Sequence, residues 1–139
     1  LDESEKAYVA ALLDGEGSIS IYEHTNYPRL SVSIYNTNKE VIDYLSEILD
    51  YHIDRGVDNR ERSRQNKDCY VMMIRRQEES LDFLKHVKPY LVTKKEQAEL
   101  GIDFMEEVIY RDSHKYTDEK IEKLYSLKEK MGELNNGYE

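Results

Sequence analysis

The stretch that decides the reading is AYVAALLDGEGSISIYEH, residues Ala7 to His24. Tyr8, Val9, Leu12 and Leu13 give a helical apolar pattern, and Ala10 and Ala11 keep the helix surface thin. The chain then breaks into Asp14-Gly15-Glu16-Gly17 and alternates Ile19 and Ile21 with Ser18, Ser20 and Tyr22, the period of a half-buried strand. Gly15 and Gly17 are placed to stop the helix. A carboxylate at a helix C-terminus meets the negative end of the dipole, which is unfavourable by roughly 0.3–1 kcal/mol unless a cation is near. Glu16 stands at that end, between glycines that let the backbone and the Gly15 carbonyl approach another group closely. Carboxylate plus carbonyl oxygen suits a hard cation such as magnesium, which keeps waters and takes its remaining ligands from phosphate. A polar helix stop would explain the tetrapeptide taken alone. A calcium loop of EF-hand type would not, because Ile19 and Ile21 stand where oxygen ligands are needed.

Working outward, Asp2 and Glu5 form a capping box ahead of the first helix. After the Ser-Ile strand, Asn26, Tyr27 and Pro28 turn the chain, and Leu30, Val32 and Ile34 alternate with Ser31, Ser33 and Tyr35 in a second strand. Thr37-Asn38-Lys39-Glu40 is a second capping box, before Val41, Tyr44, Leu45, Ile48 and Leu49 at helical spacing. A second strand pair runs from about Ile53 to Arg62 and from Asp68 to Arg76. Its inward face is ambiguous, since Tyr70 to Ile74 is apolar on both sides. Leu81, Leu84 and Val87 mark a third helix ended by Pro89, and Thr93 to Glu96 is a third capping box opening a helix through Leu100, Phe104 and Val108. Ile121, Leu124, Leu127 and Met131 share one face of a last helix. The order αββαββα, with an extra helix or two, predicts an α+β fold: one antiparallel sheet, its helices on one face, the other face open.

Across 139 residues the net charge is −9, which as a whole argues against a nucleic-acid binder. The distribution is uneven. Residues 1–50 carry a net −7, whereas residues 51–76 carry +3. The lone Cys69 rules out an internal disulfide and a cysteine-based zinc site, which suits a reducing compartment. No apolar run nears the ~18 residues of a membrane helix, and no targeting segment is visible, so the expected place is inside the cell, in cytoplasm or an organelle.

Val9 to Gly17 resembles the nine-residue signature of the LAGLIDADG homing endonucleases, followed by the usual Ser-Ile strand start. The αββαββα order is similar too, as is Pro89 to Ala98, which resembles the family's later basic helix start. The resemblance covers about residues 5–110. It implies one domain over 1–139, with a core over about 3–110 and a C-terminal helix over about 117–134. It implies that Glu16 binds metal with the Gly15 carbonyl, and that Asp14 supports the turn. Magnesium is the expected ion, with manganese as a substitute and calcium binding without supporting cleavage. By position, Asn38 orders active-site water and Lys94 lies near the scissile phosphate. A second basic position of the family is Ile42 here, a departure that weakens the polar network. Motif helices of two copies pack together in the family, so Val9, Ala10 and Leu13 are the expected homodimer interface.

A two-stranded ribbon fits the major groove, and alternate side chains on its open face reach base edges. Ser20, Tyr22, Ser31, Ser33 and Tyr35 are the candidate readers on the first hairpin, and Arg55, Arg60, Arg62, Arg64, Lys67, Arg75 and Arg76 on the second. Arginine pairs bidentately with guanine and also contacts phosphate. Asp54, Asp58, Glu61 and Asp68 partly cancel that patch. The expected function is a homodimeric, metal-dependent, site-specific DNA endonuclease of the intron-homing kind with a near-palindromic target. The alternative is the same fold with lapsed catalysis, binding nucleic acid as a splicing cofactor or regulator.

Overall fold

The structure, a computed structural model, describes residues 1–58, 68–108 and 116–136. Helix α1 (Glu3–Glu16) leads into strands β1 (Gly17–Tyr22) and β2 (Arg29–Asn36). Helix α2 (Lys39–Ile48) leads into β3 (Ile53–Asp58) and β4 (Cys69–Ile74). Then follow α3 (Gln77–Val87), a 3-10 turn (Lys88–Tyr90), α4 (Lys95–Val108) and α5 (Asp118–Asn136). The strands form one antiparallel sheet in the order β1-β2-β4-β3. Each αββ unit thus contributes one central and one edge strand.

Alternation decides the faces. Ile19, Leu30, Val32, Ile34, Met72 and Ile74 are buried on one side, under Val9 and Leu13 of α1, Leu45 of α2, Phe83 and Leu84 of α3 and Phe104 of α4. The ambiguity of the second strand pair resolves through register: Ile74 lies beside Val32 and Ile53, and Met72 beside Ile34, so the even-numbered residues of β4 face the helices. Burial of these branched side chains, worth about 1.5–3 kcal/mol each, holds the helical layer to the sheet.

Two glycines are required by proximity, not by a left-handed backbone. Gly17 has φ −117° and ψ 178°, ordinary extended geometry, but a Cβ there would lie 2.5 Å from Leu13 Cδ1 and 2.7 Å from the Leu13 carbonyl oxygen. The helix therefore passes into the strand with no connecting loop. Gly101 lets α4 close on the sheet, since a Cβ would come 2.8 Å from Leu84 Cδ1 and 3.3 Å from Leu30 Cδ1. Gly15 does not stop the helix as expected. It is exposed within α1, with open space where a side chain would be.

The capping box of Asp2 and Glu5 is present, with both reciprocal bonds formed. The other two boxes are not built as expected. Asn38, not Thr37, caps α2, its side chain accepting from the Glu40 N–H at 3.0 Å. At α4 the preceding turn is held by a different element, described below.

Candidate metal centre and nucleic-acid interface

The C-terminus of α1 is where three distant segments converge. Asp14 accepts hydrogen bonds from the backbone N–H groups of Val92 (2.8 Å), Thr93 (3.2 Å) and Lys94 (3.0 Å), and from the Thr93 hydroxyl at 3.1 Å. The carboxylate at the end of one helix thus holds the turn that leads into another, up to the Lys94 N–H just before α4, and Asp14 has a supporting role. Lys94 answers in the opposite sense. Its Nζ donates to the Asp14 carbonyl oxygen at 2.7 Å, setting a cation against the negative end of α1. An ammonium has three donors, so two remain for another ligand.

Glu16 projects one step beyond. It is exposed, and its Oε2 accepts from Asn36 Nδ2 at 3.1 Å. Its other oxygen has no partner among the described residues. Asn36 is itself oriented, because its Oδ1 accepts the Asn38 N–H at 2.8 Å. The polar residue that meets the carboxylate is therefore Asn36, at the end of β2, and not Asn38. The Asn38 side chain is held by its own helix, through the Glu40 N–H. The signal available was alternation: Asn36 shares the parity of Leu30, Val32 and Ile34, which carries it toward α1.

A free carboxylate oxygen on Glu16 and the carbonyl of the uncrowded Gly15 before it are oxygen donors of the kind a hard divalent ion takes, with water and phosphate to complete it. Among the described residues no group of three histidine, cysteine, aspartate or glutamate side chains gathers, here or elsewhere. Ile42, at the departure noted in the sequence, is 1% exposed in the core under α2, so no basic group can enter there.

The profile of the LAGLIDADG-like domain family matches residues 3–88. The chain belongs to this family. No curated protein matches the chain in sequence. Among solved structures, the homing endonuclease I-CvuI bound to a DNA target superposes with a TM-score of 0.75 at 18% identity, covering 99% of this chain and 85% of that one. The archaeal intron-encoded homing endonuclease I-Vdi141I, also complexed with DNA, gives 0.74 at 17% identity over 95% and 84% of the two chains. The LAGLIDADG meganuclease I-AabMI bound to uncleaved DNA gives 0.67 at 23% identity, over 88% of this chain and 43% of that longer one. The α+β architecture is that of the LAGLIDADG homing endonucleases.

In this LAGLIDADG-like domain the expected interface residues Val9, Ala10 and Leu13 are each 0% exposed within the chain itself. They are core residues of their own subunit and have no surface to offer a second copy. The helix instead presents Ala7, Tyr8, Ala11 and Gly15 outward, with Tyr8 set edge-on to exposed Tyr44 at 5.7 Å. Helical periodicity puts the two sets on opposite sides.

The sheet's open face carries Ser18, Ser20 and Tyr22 of β1, Ser31, Ser33 and Tyr35 of β2, and Val71 and Met73 of β4. Ser31 and Ser33 face that side but are only 8% and 4% exposed, hidden between longer neighbours on a central strand. Ser20, Tyr22 and Tyr35 are partly exposed and better placed. Arg75 follows β4 on the open side, paired to Asp54 at 3.1 Å. Arg55 does not belong with it. Its register partner is Met72, so it lies on the helix side, in an ion pair with Asp43 of α2. That guanidinium, and then Lys39, hold the Asp43 carboxyl below its usual range. Arg76 sits at the start of α3 on a cleft of about 430 Å³, with Arg29, whose buried Nε has no partner among the described residues, Gln77 and the stacked pair Tyr27 and Tyr116. Arg60, Arg62, Arg64 and Lys67 lie outside the described residues. Among the described residues no helix is long and apolar enough to cross a membrane.

Proposed function

We propose that this chain is a site-specific DNA endonuclease that works as a homodimer, takes a divalent ion at Glu16 and Gly15 of each subunit, and recognises a near-palindromic duplex in the setting of intron homing. The observation that carries the proposal is Glu16 itself: a carboxylate oriented on one oxygen by Asn36 and open on the other, at the end of a helix whose Asp14 carbonyl holds the Lys94 ammonium, next to an open four-stranded sheet. The Glu16 carboxylate and the Gly15 carbonyl would hold the ion, which when bound would supply Lewis-acid chemistry, a water of lowered pKa and stabilisation of a leaving oxygen. Lys94 directs its remaining donors toward the negative charge that grows on the phosphate. The partner helix meets α1 on the face of Ala7, Tyr8, Ala11 and Gly15, where small side chains permit close approach. Fold likeness to chains solved with DNA supports the same use of the sheet here.

Binding without cleavage is the second reading, and buried Ile42 favours it, since the polar network lacks a basic group there. Glu16→Gln separates the two. The amide keeps the bond geometry to Asn36 but loses the charge that holds a hard cation. Cleavage selected from a randomised duplex library in magnesium disappears, while retention on DNA in calcium-free buffer persists. A Glu16→Gln protein that cuts at the wild-type rate removes the metal assignment, and a wild-type protein that binds but never nicks in magnesium or manganese favours the second reading.

A further inference from the structure

Arg75 and Asp54 form a pair of opposite charges that lies on the open side of the sheet. Asp54 stands opposite Met73 in the register of β3 and β4, and Arg75 follows two residues after Met73, so all three side chains leave the same face. The contacts are specific about atoms. Arg75 Nε lies 3.1 Å from Asp54 Oδ2 and 3.2 Å from Met73 Sδ. Asp54 Oδ1 in turn lies 3.5 Å from His52 Nε2. The two terminal nitrogens of Arg75 have no partner among the described residues, and the side chain remains 60% exposed.

The distinction between Nε and the terminal nitrogens matters for chemistry. Guanine presents O6 and N7 in the major groove, and an arginine reads both with two parallel N–H groups. A carboxylate on the terminal nitrogens would compete for that edge. A carboxylate on Nε leaves the fork free and removes rotamer freedom before any DNA arrives, so less ordering is needed on binding. We propose that Asp54 is a positioning residue that aims the guanidinium of Arg75 at a guanine, making this pair a base-specificity element and not a neutralised surface charge. The proposal rests on the reading of the sheet as a DNA-facing surface and adds to it the base and the residue that enforces it. In a symmetric dimer the guanine recurs at the mirrored position of the other half-site.

The test uses the full chain and a randomised duplex library bound in calcium, with the retained fraction sequenced for wild type, Arg75→Lys and Asp54→Asn. Wild type enriches guanine at one position and its mirror. Arg75→Lys keeps the charge but loses the fork, and lowers the preference there by roughly tenfold or more. Asp54→Asn lowers the preference at the same position, with other positions unchanged and a thermal melt matching wild type. If Asp54→Asn instead tightens binding to every sequence and keeps the guanine preference, Asp54 only neutralises charge and the proposal fails. An enriched site with no position sensitive to Arg75 also overturns it. If wild type is not retained on any duplex at low salt, the DNA-facing reading of the sheet fails, a result distinct from the other two.

Discussion

The two edges of the sheet are built in different ways. The β1 edge is sealed: Asn135 of α5 donates to the Ile19 carbonyl at 3.0 Å, and Tyr125 of α5 donates to Glu23 at 2.6 Å. Leu124, Leu127 and Met131 lie buried beneath, and Lys120 and Lys123 both reach Glu107 of α4 at 3.0 Å. The β3 edge is guarded by charge instead. Residues Arg55, Gly56 and Val57 are exposed, and Asp54, Arg55 and Asp58 discourage pairing with another strand. The contrast does not divide the candidate readers, since Ser20 and Tyr22 lie on β1 at the packed edge while Arg75 reaches across to Asp54 of β3 at the charged one. Glu16 meets neither edge but Asn36 at the end of central β2. Packing and charge are thus two ways of closing a sheet edge, and exposed charge can be exchanged without disturbing a core.

That contrast can be broken by substitution. Ala10→Glu should have the largest effect. It puts a charge at a fully enclosed position of α1, and a loss of several kcal/mol should unfold the monomer instead of yielding a soluble one. Urea denaturation checks this, and a folded variant that merely fails to dimerise would return Ala10 to the interface.

Gly17→Ala comes next, at about 1–3 kcal/mol, because the new Cβ meets not only the Leu13 side-chain tip, which can move, but also the Leu13 backbone, which cannot move as easily. A wild-type melting temperature for this variant would mean that the helix-to-strand junction gives easily.

Asn135→Ala should remove about 1 kcal/mol by leaving the Ile19 carbonyl unpaired at the sealed edge. Hydrogen exchange should quicken along β1 and not along β3. Equal quickening on both edges would erase the distinction between them.

The smallest effect belongs to the charged edge. Asp43 is held below its ordinary pKa of 3.8 by Arg55, then by Lys39, so its stabilisation is present above that value and fades as pH falls through the lower folded one. The difference in melting temperature between wild type and Asp43→Asn should therefore be slight at pH 6 and vanish in acid. A difference that grows on acidification contradicts the assignment.

Much of the fold was legible because its signals are local. Alternation in Ser18 to Tyr22 and in Leu30 to Tyr35 marks strands, and the Asp2–Glu5 box marks where α1 begins. These follow from backbone periodicity and capping within a few residues. Glu16 was legible as well, since a carboxylate between glycines at a helix end conflicts with the dipole unless it has a use.

Partnership over long separations was not legible. That Asp14 holds the turn before α4, 78 to 80 residues away, that Asn36 and not Asn38 meets Glu16, and that Arg55 turns to the helix side while Arg75 turns to the open side all depend on how elements pack and on strand register. A single-residue change of register exchanges the faces of a strand. In the same way, the motif helix shows apolar residues at Val9, Ala10 and Leu13 and small ones at Ala7, Ala11 and Gly15, but composition does not say which side meets its own sheet. The sequence by itself determined the elements, their order and the carboxylate at odds with its helix dipole. Only the tertiary structure decided which side of α1 is core, which asparagine orients Glu16 and which arginine turns to the open face, because each of these is settled by contacts between segments that local propensity does not encode.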